Sequence, residues 1–93
     1  METFEYIDRD FDSRIVQIGQ FERIKSVDDI KKGDRFICPQ SDDYKNGICD
    51  GKTLYPILLF VKSAIDWHIH YNYVKDSKST PAIAWDLCYK LVE

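Results

Sequence analysis

The chain has 93 residues and a formal net charge of -3, from 13 lysines and arginines against 16 aspartates and glutamates. Hydrophobic residues make up 44% and aromatic residues 14% of the sequence, a composition that excludes intrinsic disorder and a coiled coil. A chain of this length buries roughly two thirds of the surface that it exposes when unfolded, which is enough for one small core. The sequence therefore predicts a single domain over residues 1–93.

The apolar runs and the cysteines indicate the cellular compartment of the protein. The longest apolar run, Ile57–Val61, is too short to cross a bilayer, and the acidic start Met1–Glu5 is unlike a basic signal peptide. Cys38, Cys49 and Cys88 are an odd set without a paired spacing, as expected of reduced thiols. We therefore expect a cytoplasmic protein without a membrane partner.

The first half of the chain predicts an arm, a strand, a turn and a second strand. Phe4, Ile7 and Phe11 recur at helical spacing, so residues 1–13 are expected to form a short helix or an irregular arm. Arg14–Ile24 is rich in β-branched residues around Gly19, as in a bent strand. Ser26 is the N-cap of one helical turn that ends at Gly33. Asp34–Pro39 is the next strand, and Gln40–Lys52 is a long polar loop.

The second half predicts three strands and a short helical turn. Thr53–Ser63 is the first of these strands, with Pro56 marking a sheet edge or a bulge. Ala64–Val74 alternates as a half-buried strand does. Its expected buried face consists of Ile65, Trp67, Ile69, Tyr71 and Tyr73. Pro81 begins a helical or 3₁₀ turn through Trp85, and Leu87–Val92 is the last strand.

These elements predict a β-rich α+β fold, either a small antiparallel sheet or an SH3-like, partly open barrel with one or two short helical turns. The segment Ile30–Phe36 (IKKGDRF) carries Gly-Asp into a strand. In this it resembles the start of the first strand in small SH3-like β-barrels, a resemblance that implies the fold and no function.

His68 and His70 are the clearest candidates for metal or acid–base chemistry. They are two residues apart on a predicted strand, so both face the same side, with Asp66 before them. No second paired-ligand motif accompanies them, and no cysteine lies in a nucleophile signature. The four glycines are scattered, which excludes a glycine-rich phosphate loop. A small metal- or thiol-dependent enzyme centred on Asp66, His68 and His70 is therefore an alternative hypothesis. The leading hypothesis, a binding protein described below, involves no cofactor.

Charge distribution leaves one further alternative. The densest basic pairing is Lys31-Lys32, too little for direct nucleic-acid binding. Residues 2–12 carry five acids and one base. An acidic arm of this kind can imitate nucleic-acid phosphates and occupy a basic cleft on a partner. An acidic nucleic-acid mimic is therefore the second alternative.

Six tyrosines and two tryptophans favour a binding protein, because these residues anchor interfaces. A compact acidic chain rich in aromatics is also similar to small phage-encoded early proteins that interfere with host or defence machinery. The leading hypothesis is a non-catalytic inhibitor or sequestering factor, acting on a host protein or a small nucleotide ligand and forming a homo-oligomer. Its expected contact residues are on the long loop and the neighbouring polar strands: Arg35, Tyr44, Lys45, His68 and His70.

Overall fold

A computed structural model describes residues 1–8, 16–39, 45–48, 54–72 and 81–92, with only the backbone given for 45–48 and 54. These residues contain nine strands and two 3₁₀ turns. The strands are β1 (Glu2–Ile7), β2 (Val16–Arg23), β3 (Arg35–Ile37), β4 (Lys45–Ile48), β5 (Leu54–Pro56), β6 (Leu59–Ile65), β7 (His68–Asn72), β8 (Ala82–Ala84) and β9 (Tyr89–Leu91). The first 3₁₀ turn is Val27–Asp29 and the second is Trp85–Leu87.

Seven strands form one antiparallel sheet in the order β1-β2-β9-β3-β6-β7-β8, and β4 pairs with β5 in a separate two-stranded sheet. The predicted β-rich antiparallel architecture is confirmed. The α+β description fits only loosely, because the two 3₁₀ turns are the only helical elements in the described segments. No helix in those segments has the length and hydropathy needed to cross a membrane.

The seven-stranded sheet is not closed into a barrel. A single parallel bridge joins Ile7 at the end of β1 to Ile57 before β6. The Leu58 N–H donates to the Ile7 carbonyl at 2.9 Å. A closed barrel needs a continuous ladder between its two edge strands, whereas this single bridge joins β1 to the segment before the interior strand β6.

The N-terminal segment is a strand, so the predicted helix or arm is wrong for Glu2–Ile7. Six residue pairs join β1 to β2. The rings of Phe4 and Tyr6 both contact Phe21, with ring centroids 5.9 and 5.4 Å apart. These residues alternate along β1 and pack onto a neighbouring strand, a tertiary contact that outweighs the coincidental helical spacing.

Gly19 lies where the sequence predicts a strand, and β2 confirms that prediction. A Cβ atom at this position would lie 2.8 Å from Cε1 of Tyr6 and 3.1 Å from Cδ1 of Leu91. Glycine is therefore required because two neighbouring side chains occupy the space above its Cα.

The first 3₁₀ turn confirms the predicted cap at Ser26. The Asp28 N–H donates to Ser26 Oγ at 3.2 Å, and the Ser26 N–H donates to Asp29 Oδ2 at 3.2 Å. This reciprocal pattern satisfies amide groups that the short turn leaves without backbone partners. Gly33 follows with a φ of +93°, a conformation that favours glycine.

The region predicted as one alternating strand over 64–74 contains a hairpin turn. Strands β6 and β7 pair from Phe60↔Asn72 to Ile65↔His68, so the chain reverses at Asp66 and Trp67. Asp66 has a φ of +53°, which aspartate tolerates better than most residues. Trp67 is consequently 66% exposed, and the prediction that it faces the core is wrong. Ile65 is also exposed, whereas Ile69 and Tyr71 are buried as predicted.

Two other predicted elements differ from the structure. Residues 82–84 form strand β8, and the 3₁₀ turn begins only at Trp85. The backbone of Lys45–Ile48 forms strand β4 inside the predicted loop, and the rest of that loop lies outside the described residues. Strand pairing with β7 and β5 accounts for these differences, because such pairing is not visible in local sequence.

Two clusters of buried side chains hold the sheet. The first contains Ile24, Ile30, Phe36, Cys38, Ile57, Leu59, Val61, Ile69, Tyr71, Ile83 and Cys88. The second contains Tyr6, Phe21, Ile37 and Leu58, with Phe4, Tyr89 and Leu91 packed against it. Phe36 and Ile37 are consecutive on β3, so their side chains point to opposite faces and each joins a different cluster.

Candidate binding surface

Arg35, the first predicted contact residue, is held in place by a buried acid. Its Nη1 lies 3.5 Å from Asp8 Oδ2. The Asp8 side chain is 5% exposed and the Arg35 side chain 30% exposed. A guanidinium that faces a nearly buried carboxylate acts first as its counter-ion. The structure thus places Arg35 in an internal contact that the sequence does not reveal.

A cleft of about 380 Å³ adjoins Arg35. Its charged lining combines two cations with two acids: Arg35, Lys90, Glu22 and Asp34. Lys90 Nζ donates to the Asp29 carbonyl at 2.8 Å, so this cation is already bound to the protein itself. The mixed charge gives the cleft no preference for an anion such as a nucleotide phosphate.

His68 and His70 occupy one face of β7, as the alternation predicts. His68 lies opposite Ala84 and Ile65 and is exposed, whereas His70 is half-buried. In the sheet register Arg35 pairs with Phe60, and Phe60 pairs with Asn72. Arg35 is therefore separated from the strand of the two histidines by β6, and these three predicted contact residues do not meet.

The two loop residues of the predicted site add little to this picture. Tyr44 lies outside the described residues. Lys45 is the first residue of β4 and pairs with Pro56 in the two-stranded sheet. Their part in binding stays a prediction.

The alternative enzyme hypothesis depends on Asp66, His68 and His70 meeting a cysteine. Cys38 and Cys88 are fully buried in the first core cluster. Asp66 lies in the hairpin turn. Within the described ranges no three histidine, cysteine, aspartate or glutamate side chains gather as a metal site would require. The enzyme hypothesis therefore has no assembled centre among these residues.

The acidic arm of the mimicry hypothesis is partly internal. Glu2 and Glu5 are exposed on β1, but Asp8 is buried against Arg35. Its other charged residues lie outside the described segments. One of the five predicted acids is therefore neutralised within the fold and does not contribute to an anionic surface.

The most distinctive surface of the described residues is a pair of stacked tryptophans, which we call the tryptophan tip. It comprises Trp67 in the β6–β7 turn, Trp85 in the second 3₁₀ turn, and the adjacent acids Asp66 and Asp86. The two indole rings are 5.4 Å apart between centroids and inclined by only 13°. Such an offset parallel arrangement is a favourable geometry for aromatic pairs.

Hydrogen bonds fix the Trp85 ring and connect the backbones of the two tryptophans. Trp85 Nε1 donates to the Asp66 carbonyl at 2.8 Å. The Trp85 backbone N–H donates to the Trp67 carbonyl at 3.1 Å. Trp85 also packs against the first core cluster, whereas Trp67 stacks on the outer face of the Trp85 ring. The inner ring is thus anchored in the fold, and the outer ring is presented to solvent on a rigid support.

The tip carries acidic charge next to its aromatic surface. Asp66 and Asp86 are exposed, and each directly adjoins one tryptophan in the chain. The nearby Arg23 donates from Nη2 to the Asp86 carbonyl at 3.0 Å and lies 5.9 Å from the centre of the Tyr89 ring. These two contacts hold the Arg23 side chain on the side of the second 3₁₀ turn that faces β2 and β9.

Sequence reasoning missed this surface because an unbroken alternation assigns Trp67 to the core. The one local signal is Asp66, a residue that accepts the positive φ of a tight turn. No glycine or asparagine accompanies it, so the usual hairpin signature is absent.

Comparison of the chain with protein-family models, with curated proteins and with solved structures finds no match. The function is therefore inferred from the side chains of this protein alone.

Proposed function

We propose that this protein is a small, non-catalytic binding protein that contacts a protein partner through the tryptophan tip. The observation that carries the proposal is the 66% exposure of Trp67 in a position fixed by stacking on Trp85. Folding alone gives no reason to hold a large apolar ring in solvent, whereas interfaces use tryptophan as a central anchor.

The rigidity of the tip favours binding. A side chain that is already ordered loses less conformational entropy when a partner covers it. Trp67 is supported by Trp85, and Trp85 is fixed by its hydrogen bond to the Asp66 carbonyl. Burying the outer ring then contributes its hydrophobic free energy with little cost of ordering.

The charges of the tip favour a protein over a nucleotide. An exposed indole can stack on a nucleobase, but Asp66 and Asp86 beside the rings repel the phosphates of a nucleotide. The same carboxylates attract lysine or arginine, and an arginine side chain can also lie against the face of Trp67. We therefore propose a partner that presents a basic side chain within an apolar surface. A protein that binds a host protein without catalysing a reaction would act by inhibiting or sequestering that partner.

The test compares two variants that each remove one exposed apolar side chain. Trp67→Ala should weaken partner binding by about 30-fold or more, the loss typical of an interface anchor. Ile18→Ala is the matched control, because Ile18 is 70% exposed on β2 and lies outside the tip. Affinity capture with immobilised wild type, Trp67→Ala and Ile18→Ala should retain a common partner on the first and third only.

Two further measurements test whether the tip binds a nucleotide or a second copy of this chain instead of another protein. A thermal shift with nucleotides that Trp67→Ala abolishes would replace the protein partner with a nucleotide ligand. If light scattering shows a wild-type molar mass that rises with concentration, and Trp67→Ala stays monomeric, the tip binds a second copy of this chain. Equal capture by all three immobilised proteins would contradict the assignment of the tip as the binding surface.

A further inference from the structure

Cys38 and Cys88 lie at the facing ends of two neighbouring strands: Cys38 directly follows β3, and Cys88 directly precedes β9. Strand β3 pairs with β9 in the register Phe36↔Lys90 and Ile37↔Tyr89. Extending this register by one residue beyond the end of each strand places Cys38 opposite Cys88. Neither cysteine is in a disulfide, and both are fully buried in the first core cluster. Fifty residues apart in the sequence, the two sulfurs are brought to one site by strand pairing.

The hydrogen-bond pattern of β9 defines the type of pair. The Ile24 N–H donates to the Cys88 carbonyl, and the Val92 N–H donates to the Gln20 carbonyl. Residues 88 and 92, on either side of β9, therefore each direct a backbone group toward β2, away from β3. The extended register thus places Cys38 and Cys88 at a non-hydrogen-bonded position, where facing Cα atoms typically lie about 4.5 Å apart. That separation is within the range that a disulfide can bridge, at its short end.

Each thiol also supports the second 3₁₀ turn. Cys38 Sγ donates to the Leu87 carbonyl and Cys88 Sγ to the Ala84 carbonyl, both at 3.4 Å. The Cys88 N–H donates to the Trp85 carbonyl at 3.0 Å. A hydrogen bond with Cys38, together with burial, raises the pKa of the Cys88 thiol far above its ordinary value. Cys88 is therefore a protonated donor at neutral pH.

We propose that Cys38 and Cys88 are a modification site, a dithiol that forms a reversible disulfide and thereby alters the tryptophan tip. This inference goes beyond the proposed function, because the site exists whether or not the tip binds a partner. The oxidant is a low-molecular-weight disulfide such as oxidised glutathione. Because both sulfurs are buried and Cys88 is protonated, exchange proceeds when the second 3₁₀ turn opens transiently.

The exchange balances without any other reactant. One cysteine thiolate attacks a sulfur of the small disulfide, forms a mixed disulfide and releases one small thiolate, which takes up the proton that the cysteine lost. The second cysteine then loses its proton and attacks the protein sulfur of the mixed disulfide. The second small thiolate leaves and takes up that proton. Two protein thiols are oxidised to one disulfide, and one small disulfide is reduced to two thiols.

Oxidation removes both S–H donors that hold the second 3₁₀ turn. The carbonyls of Ala84 and Leu87 flank Trp85, so loss of their sulfur hydrogen bonds loosens the segment that carries the inner ring. Trp67 and Trp85 are the only two tryptophans in the chain, so tryptophan fluorescence reports on this stack alone. The long-wavelength tryptophan bands of the near-ultraviolet circular dichroism spectrum report on it as well, whereas the tyrosine and disulfide bands lie at shorter wavelength.

The experiment incubates the folded wild-type protein with excess oxidised glutathione and then blocks the remaining thiols. The expected product carries a single blocking group or a single glutathione, on Cys49, and is otherwise lighter than the reduced protein by two hydrogen atoms. Peptide mapping should show a Cys38–Cys88 crosslink. The near-ultraviolet dichroism of the tryptophan pair should change at the rate of crosslinking, and dithiothreitol should reverse both changes. Glutathione adducts without a crosslink, or a crosslink with an unchanged tryptophan signal, would overturn the proposal.

Cysteine variants identify the sulfurs involved. Cys49→Ser is the matched control and should keep the crosslink and the tryptophan change. Cys38→Ser should lose both. Loss of the crosslink in Cys49→Ser, or peptide maps in which Cys49 is linked as often as Cys38 and Cys88, would overturn the assignment. If Cys38→Ser does not fold, the wild-type peptide map still decides the question.

Discussion

Phe36→Ala is expected to lower the free energy of unfolding by about 3–5 kcal/mol, a large part of the stability of so small a domain. Phe36 is fully buried on β3, the central strand of the seven-stranded sheet. Its ring meets Tyr71 edge to face at 5.8 Å. Removing the ring leaves a cavity that neighbours on β6 and β9 cannot fill without breaking their strand pairing. Denaturant unfolding followed by circular dichroism measures the loss.

Trp67→Ala is the control, because it removes a larger ring from a solvent-exposed position. The expected loss in the free energy of unfolding is at most about 1 kcal/mol, chiefly from stacking on Trp85. A loss as large as that of Phe36→Ala would mean that Trp67 is a core residue and that the β6–β7 turn is misplaced. The pair of variants therefore tests the register of the hairpin and the accessibility of the tip together.

The hairpin shows where local sequence stops predicting this fold. Alternation over residues 64–74 correctly buries Ile69 and Tyr71 and places His68 and His70 together on the other face. The same alternation cannot reveal a turn that interrupts it without glycine, asparagine or proline. The two-residue turn places Ile65 and His68 on the same face, so the buried positions shift by one residue across it. The exposed apolar side chains of Ile65 and Trp67 conceal this shift, and the residues before and after the turn therefore look like one strand.

Elements that depend on neighbours in sequence were predictable. The cap at Ser26 uses groups within three residues, and both of its hydrogen bonds form. Elements that depend on distant pairing were not. The β1 strand needs β2 as its partner, and Glu2–Ile7 alone offers the spacing of a helix.

In the candidate site, too, features set by neighbours in sequence could be predicted and features set by distant contacts could not. The face shared by the two histidines could be predicted, since a strand alternates with a period of two. The tryptophan stack could not, because it joins residues 18 positions apart through a turn that the sequence hides. The partner of Arg35 was likewise invisible, since Asp8 reaches it from β1 through tertiary structure.

Arg35→Ala is expected to lower the free energy of unfolding by about 2 kcal/mol, because it leaves the Asp8 carboxylate buried without its cation. The full loss of a wholly buried pair is larger, but Arg35 is 30% exposed and solvent screens part of the interaction. Lys32→Ala removes the same charge from an exposed position beyond the first 3₁₀ turn and should change stability by no more than about 0.5 kcal/mol. Urea unfolding of both variants provides the comparison.

A double-mutant cycle then separates a structural role of Arg35 from a ligand-binding one. If the cation serves the buried acid, Asp8→Asn should cost less in the Arg35→Ala background than in the wild type, because the unpaired negative charge is then removed. Additive effects of the two substitutions would show that the 3.5 Å contact contributes no coupling energy. An unchanged stability of Arg35→Ala combined with weaker binding of an anion would instead return Arg35 to the contact surface that its position on the strand beside the long loop first suggested. The cycle thus decides whether the charge at this position holds β1 against the sheet or faces a partner.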